Sequence, residues 1–258
     1  MSKEINNTIL YNPDEQLSML YNRKVTCPVC EAVFNAKSIK KNSYRILKKD
    51  SDFFIRYSRI SPYFYDVWVC NECGYASIKT DFENLSDYAA DKIREKITPK
   101  WHKKNYPEVY DINIAIQRYK LSLLNYYTIG ARESKKAMNY LKLAWMYRLK
   151  EDDKNELQFL NQALENLSTA YYNEPSPIYG MNKFTTMYLI GELKRRLDKS
   201  EDSLIWFSQI ITSTMSPQKI KDLARTQKDL IKSEPSEKEP ELENKSNKKD
   251  GGFFSKFH

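Results

Sequence analysis

The spacing of apolar positions changes once along this chain. Up to about residue 80 they follow period two: in FYDVWVC, Tyr65, Val67 and Val69 alternate with Phe64, Asp66 and Trp68, the pattern of a strand that delivers Cys70. Upstream, SYRILKKDSDFFIRYSRISPYFY predicts one or two strands joined by a turn near Lys49 to Ser51. From about Asp81 the period becomes helical. LSDYAADKIREKI predicts a linking helix capped by Ser86 and ended near Pro99, and VYDINIAIQRYKLSLLNYYTIG a longer one with Gly130 as C-cap. Residues 133–174 predict two helices joined by an acidic turn at Glu151 to Asp153, and residues 183–213 two more with a turn at Asp198 to Ser200. Pro217 opens a last helix.

Two of these helical pairs superimpose in sequence. Tyr140, Leu143, Ala144 and Tyr147 align with Met187, Ile190, Gly191 and Lys194, as in the first helix of a tetratricopeptide-type hairpin, where a small residue admits a close neighbour. Ala163 in one second helix, and Phe207 with Ile210 in the other, do the equivalent work. Two hairpins are fewer than a free solenoid needs, so the helices at 86–97, 110–128 and 217–231 are expected to complete the core. The expected fold class is α+β, mainly α. It comprises a small zinc-ribbon-like β module over residues 1–85, a tetratricopeptide-like antiparallel helical-hairpin domain over 86–231, and a disordered polar tail over 232–258.

That tail, SEPSEKEPELENKSNKKDGG and onward, lacks periodicity and ends in FFSKFH. Its Phe-rich tip is the one feature that suggests contact with a membrane surface, and a frayed end is the plainer reading. No run of about 18 apolar residues occurs, and the first residues do not read as a secretory leader. The cytoplasm is the expected location, and there four cysteines point to metal or redox chemistry before disulfides.

Those four, Cys27 and Cys30 in CPVC and Cys70 and Cys73 in CNECGYA, are all the cysteine the 258 residues contain. Two intervening residues let both sulfurs of a pair face one point from a tight knuckle, and two knuckles make a closed tetrahedral site of four thiolates. Pro28 stiffens the first knuckle, and Gly74 supplies the permissive backbone after the second. Structural Zn2+ is the expected ion, with iron in a rubredoxin-like site as the alternative. A redox pair would sit alone at a helix N-terminus beside a βαβ pattern, and that context is missing. His102 reads as a surface residue and His258 is terminal, so no histidine-based catalytic arrangement is in view. The paired acids Asp152 and Asp153 fall in a turn between helices, where solvation explains them.

Charge adds one further candidate. The formal net charge is +8, distributed as +3 over residues 1–100, +5 over 101–231 and zero beyond. A divalent ion on four thiolates would lower the folded total by about two. Between the knuckles, residues 37–59 carry a local excess of +6, from Lys37, Lys40, Lys41, Arg45, Lys48, Lys49, Arg56 and Arg59 against Asp50 and Asp52. Tyr44, Phe53, Phe54 and Tyr57 are interleaved, the mixture that binds nucleic acid through phosphate contacts and stacking. A solvated basic hairpin whose aromatics pack on the knuckles explains the same residues. In YFYDVWVCNECGYA, Asp66 is expected to pair with a base of this insert and Trp68 to pack at the module's centre.

The ordered strings YNRKVTCPVCEAVF, YDVWVCNECGYA, LKLAWMYR and MYLIGELKRRL…WFSQII resemble the bacterial family catalogued as domain of unknown function 2225, over about residues 20–230. The resemblance implies a cysteine-knuckle N-terminal part and tetratricopeptide-like helices. It carries over the four cysteines as metal ligands and no catalytic residue. Together these readings favour a zinc-binding interaction or scaffold protein whose helical domain binds a protein or peptide. A nucleic-acid-binding protein using the insert is the alternative, and an enzyme comes last.

Overall fold

The computed structural model describes residues 13–233; the expected tail and its Phe-rich tip lie outside them, apart from the end of the last helix. A short helix α1 (Pro13–Ser18) leads into the antiparallel hairpin β1 (Leu20–Thr26) and β2 (Val33–Ile39), in register from Leu20↔Ile39 to Thr26↔Val33. The insert follows as the hairpin β3 (Arg45–Lys49) and β4 (Ile55–Ser58), with an irregularity at Leu47. A third hairpin pairs β5 (Val67–Val69) with β6 (Ala76–Ile78). Where alternation suggested one strand through Tyr65, residues 62–65 form a 3-10 turn and the strand starts at Val67. Pro62 at the turn's first position explains the break, because its fixed φ suits a helical turn and its nitrogen carries no ladder donor.

Helices follow almost without interruption: α2 (Lys79–Phe82), α3 (Asp87–Lys96), α4 (Ile112–Ile129), α5 (Glu133–Leu149), α6 (Asp153–Asn173), α7 (Lys183–Arg196), α8 (Ser200–Thr212) and α9 (Gln218–Ser233). Their ends are set locally. Ser86, Asp111, Asp152 and Asn182 each accept a backbone N–H from three residues on, satisfying donors the first turn leaves open. Gly130 closes α4 in the left-handed conformation, φ 66°. Asp152 is therefore a cap. In the second hairpin, a Cβ on Gly191 would lie 2.8 Å from the Phe207 ring, so this glycine sets how closely α7 and α8 approach.

Three apolar cores result. One gathers Val25, Val29, Ala36, Trp68 and Tyr75 around the cysteines together with Phe82 and with Ala90, Ile93 and Ile97, so α3 packs with the knuckles. Another joins α7, α8 and α9 through Met187, Tyr188, Phe207, Ile210 and Ala224. The largest runs across residue 85: Phe54, Ile60, Phe64, Val67 and Ile78 share it with Tyr119, Tyr126, Leu143, Trp145 and Leu189. The switch from strands to helices near residue 85 is thus a change of local structure within one continuous core.

Polar groups tie the same surfaces. Tyr126 Oη donates to Asp81 at 2.7 Å, and Arg118, buried on α4, donates to the Val67 carbonyl at 2.6 Å beneath the Tyr110 ring. Asp66 receives Lys142 Nζ at 2.5 Å and Tyr119 Oη at 3.2 Å, with Lys79 at 3.7 Å. Its partners come from helices α2, α4 and α5, where the sequence suggested the basic insert.

Candidate metal centre

Two copies of one loop build the cysteine site. In the first, Cys27 N donates to Ala32 O at 3.0 Å and Glu31 N returns to Cys27 O at 2.9 Å. In the second, Cys70 N donates to Tyr75 O at 2.8 Å and Gly74 N to Cys70 O at 2.9 Å. Each loop hangs from the end of a hairpin, between Thr26↔Val33 and between Val69↔Ala76. The residue after the second cysteine is left-handed in both, Glu31 at φ 61° and Gly74 at φ 79°. The sequence marked Gly74; nothing in the letter Glu31 marks its counterpart.

The sulfurs converge. All four Sγ atoms lie within 4.8 Å of one another, with Cys27 to Cys73 and Cys30 to Cys70 each at 3.6 Å. Sulfurs about 2.3 Å from a central ion in a tetrahedron stand about 3.8 Å apart, so the set fits a tetrahedral thiolate-preferring ion. At 3.6 Å the pairs are free thiols, well beyond a disulfide. Cys27, Cys70 and Cys73 are buried and Cys30 faces solvent.

Crowding polarises the set. Hydrogen bonds from the Cys27 and Cys73 thiols drive Cys70 far down toward the thiolate. Those same bonds, to Cys70 for Cys27 and to Cys27 and Cys70 for Cys73, push the other two up. A bound divalent cation would favour the thiolate form of its ligands.

A clasp from the helical side holds both loops. Arg94 of α3 donates through Nε to Val29 O at 2.7 Å, and Thr98 Oγ1 to Cys73 O at 3.1 Å. Trp101 Nε1 donates to Asn71 O at 2.8 Å, and the Asn71 side chain accepts from Lys104 N at 2.8 Å. Such partners orient ligands as firmly as the strands do. Sequence reading missed Arg94, Thr98 and Trp101, which lie about 20 to 30 residues beyond the last cysteine. The available signal was KWHKKNYP, read only for His102, which is exposed and outside the metal-capable group among the described residues.

The basic insert divides into two populations. Arg56 grips Asp50 through two nitrogens at 3.1 and 3.0 Å, Arg59 meets Glu15 at 2.8 Å and Lys40 donates to Ser18 O at 2.7 Å. Lys49 lies 4.7 Å over the Phe53 ring. Arg45, Lys48 and Lys49 stand on β3, whose five residues are all exposed, and Lys41 is exposed just before it. Of the interleaved aromatics, Phe54 is fully buried against Trp145, Phe53 packs on Tyr188 and Tyr57 contacts Tyr63. Tyr44 is the exposed one. Trp68 is buried in the knuckle core as expected.

A paired-knuckle module with four cysteines, fused to antiparallel helices, defines the class: a small β module whose thiols could hold a metal ion, in an α+β, mainly α protein. Residues 20–231 match the family model described as an uncharacterized protein conserved in bacteria, DUF2225, and the chain belongs to that family. No curated protein and no solved structure matches the chain. No helix among the described residues is long and apolar enough to cross a membrane.

Proposed function

We propose that this protein is a zinc-stabilised interaction protein of the bacterial cytoplasm, whose tetratricopeptide-like hairpins bind a protein or peptide partner. The observation that carries the reading is on α8. Leu204 and Ile205, with Ser208, Gln209 and Thr212, line a shallow, mainly apolar depression of about 430 Å³, and Ile205 is 57% exposed. Next to Ile205 in the chain, Trp206 meets the Tyr171 ring at 5.2 Å, and Tyr171 in turn contacts Tyr172, which is 72% exposed. An apolar helix face of this kind suits the side chains of a short amphipathic segment. In this reading the metal centre shapes the fold, since four thiolates fill a tetrahedral ion's coordination and leave no position for substrate, and the chain carries out no chemistry.

The test is affinity capture from the native cell with wild-type protein and with Ile205→Glu, before and after nuclease treatment. A partner that survives nuclease and is lost with Ile205→Glu supports the reading; one that Ile205→Glu retains overturns it. The exposed bases on β3 favour a second reading, nucleic-acid binding through Arg45, Lys48 and Lys49. That reading requires binding that weakens steeply with salt, and loss of partners on nuclease treatment. Phe54 is buried and Phe53 and Tyr57 are half-buried against Tyr188 and Tyr63, which leaves Tyr44 as the exposed insert aromatic for stacking, and this ranks it second.

A further inference from the structure

Between the β1–β2 hairpin, the 62–65 turn and β5 lies a cavity of about 240 Å³ whose charge is one-sided: Arg23, Lys41 and Lys79 line it and no carboxylate does. Topology brings the three together, since Arg23 sits on β1, Lys41 just after β2 and Lys79 just after β6. Their links to acids are loose. Arg23 reaches Glu83 at 3.8 Å with both side chains more than half exposed, and Lys79 is 3.7 Å from an Asp66 already held more closely by Lys142. Three cations around a common space repel one another, and a bound anion would remove that cost.

A second, independent observation sits in the wall. Trp68 is among the lining residues and is 3% exposed overall, which fixes its indole in the wall. The Arg23 guanidinium lies 5.0 Å over the Trp68 ring, which sets a cation against this aromatic wall. Ser38 adds a hydroxyl, and Tyr44 adds an aromatic ring held by an edge-to-face contact with Tyr57 at 5.4 Å. The volume is near the small end of ligand pockets, roughly 300–1,000 Å³, which suits a small molecule better than a polymer.

We infer that this cavity is a binding site for a small phosphorylated molecule with a planar ring, of the nucleoside monophosphate class. Its phosphate is taken by Arg23, Lys41 and Lys79, and its ring by the aromatic wall. The site is separate from the α8 surface and does not depend on it.

The test is calorimetric titration of the full metal-loaded chain with adenosine monophosphate, adenosine, inorganic phosphate and a single-stranded oligonucleotide, with tryptophan fluorescence in parallel. Adenosine monophosphate is expected to bind and to perturb the fluorescence. Lys41→Gln and Arg23→Gln are each expected to weaken it about tenfold or more, at an unchanged melting temperature. Lys41→Gln, at an exposed turn, keeps the test readable if Arg23→Gln fails to fold. Absence of binding, equal binding of adenosine or of inorganic phosphate, tighter binding of the oligonucleotide, or indifference to both cation substitutions would each overturn the proposal.

Discussion

Arg148 of α5 and Asp52 of the insert hairpin meet as a two-pronged ion pair, Nη2 to Oδ2 at 2.7 Å and Nη1 to Oδ1 at 3.1 Å, with Asp52 wholly buried. Trp145 Nε1 donates to the same carboxylate at 3.0 Å, and Arg148 also holds Glu156 at 2.7 Å. One residue earlier, Ser51 donates to the buried Glu192 of α7 at 2.6 Å. The tip of the strand hairpin is thereby bound into the helical layer. What read as a basic insert docks through its two acids.

Removing one partner of this pair leaves a buried charge with too little compensation. Arg148→Met is expected to destabilise the fold by about 3–5 kcal/mol, seen as a lower midpoint in urea unfolding. Replacing Asp52 with Leu in the same chain should recover part of that loss, because the stranded carboxylate goes as well. A double variant whose loss equals the sum of the two single losses would show that the pair carries no coupling.

Acid should unpick the same contact. Burial alone would raise the Asp52 pKa, but the hydrogen bond and charge of Arg148, then the charge of Arg196 and the Trp145 N–H, overcome it and hold the carboxyl below its ordinary value. A depressed folded pKa contributes stability that is complete above the unfolded value, about 3.9, and is lost as pH falls through the lower folded value. Urea midpoints are therefore expected to hold steady through neutral pH and drop below about pH 4, with a shallower drop in Asp52→Asn. An identical acid limb in that variant would assign the loss to other carboxylates.

Local signals in the chain were faithful where one residue type has one physical use. Ser86 and Gly130 name a cap and a left-handed stop, and the structure places them so; the CxxC pairs name a shared site, and the structure brings their four sulfurs together. Long-range partners had no such letter. Asp66 could be seen to need a cation, but whether it came from the insert or from Lys142 depends on how the strands lie on α5. The clasp of Arg94, Thr98 and Trp101 on the knuckles was invisible for the same reason, since each bonds a backbone carbonyl and every residue offers one. Phe53 and Phe54 looked alike in sequence to a stacking platform, and burial by α5 and α7 decides otherwise.

The two knuckles invite opposite substitutions at equivalent positions. Gly74→Ala would put a Cβ 2.6 Å from Trp101 Cδ2, on an indole fixed by its bond to Asn71 O, and would also place alanine at φ 79°. A loss of about 2 kcal/mol or more is expected, since the left-handed region alone costs about 1–2 kcal/mol. Glu31→Gly relieves the same strain in the first knuckle and should stabilise by up to about 1 kcal/mol after glycine's larger unfolded-state entropy is counted. Thermal unfolding of the two variants checks both signs; a stabilised Gly74→Ala would contradict the assigned contact with Trp101.

Metal removal should be felt locally first. Elemental analysis of purified protein is expected to give about one zinc per chain, and a content well below one would remove the metal assignment. Chelation or Cys70→Ser withdraws the ion from a core made by Val25, Val29, Trp68, Tyr75, Phe82 and Ile93, while Leu143, Leu189 and Leu193 belong to the larger core and Phe207 and Ile210 to the third. Amide exchange should therefore accelerate in β1, β2 and α3, with α5 to α8 still protected. β5 and β6 are expected to respond in between, because Val67, Val69 and Ile78 face α4 and the larger core although their loop carries Cys70 and Cys73. Simultaneous loss of protection in all nine described helices would mean that the knuckle core and the helical cores unfold as a single cooperative unit.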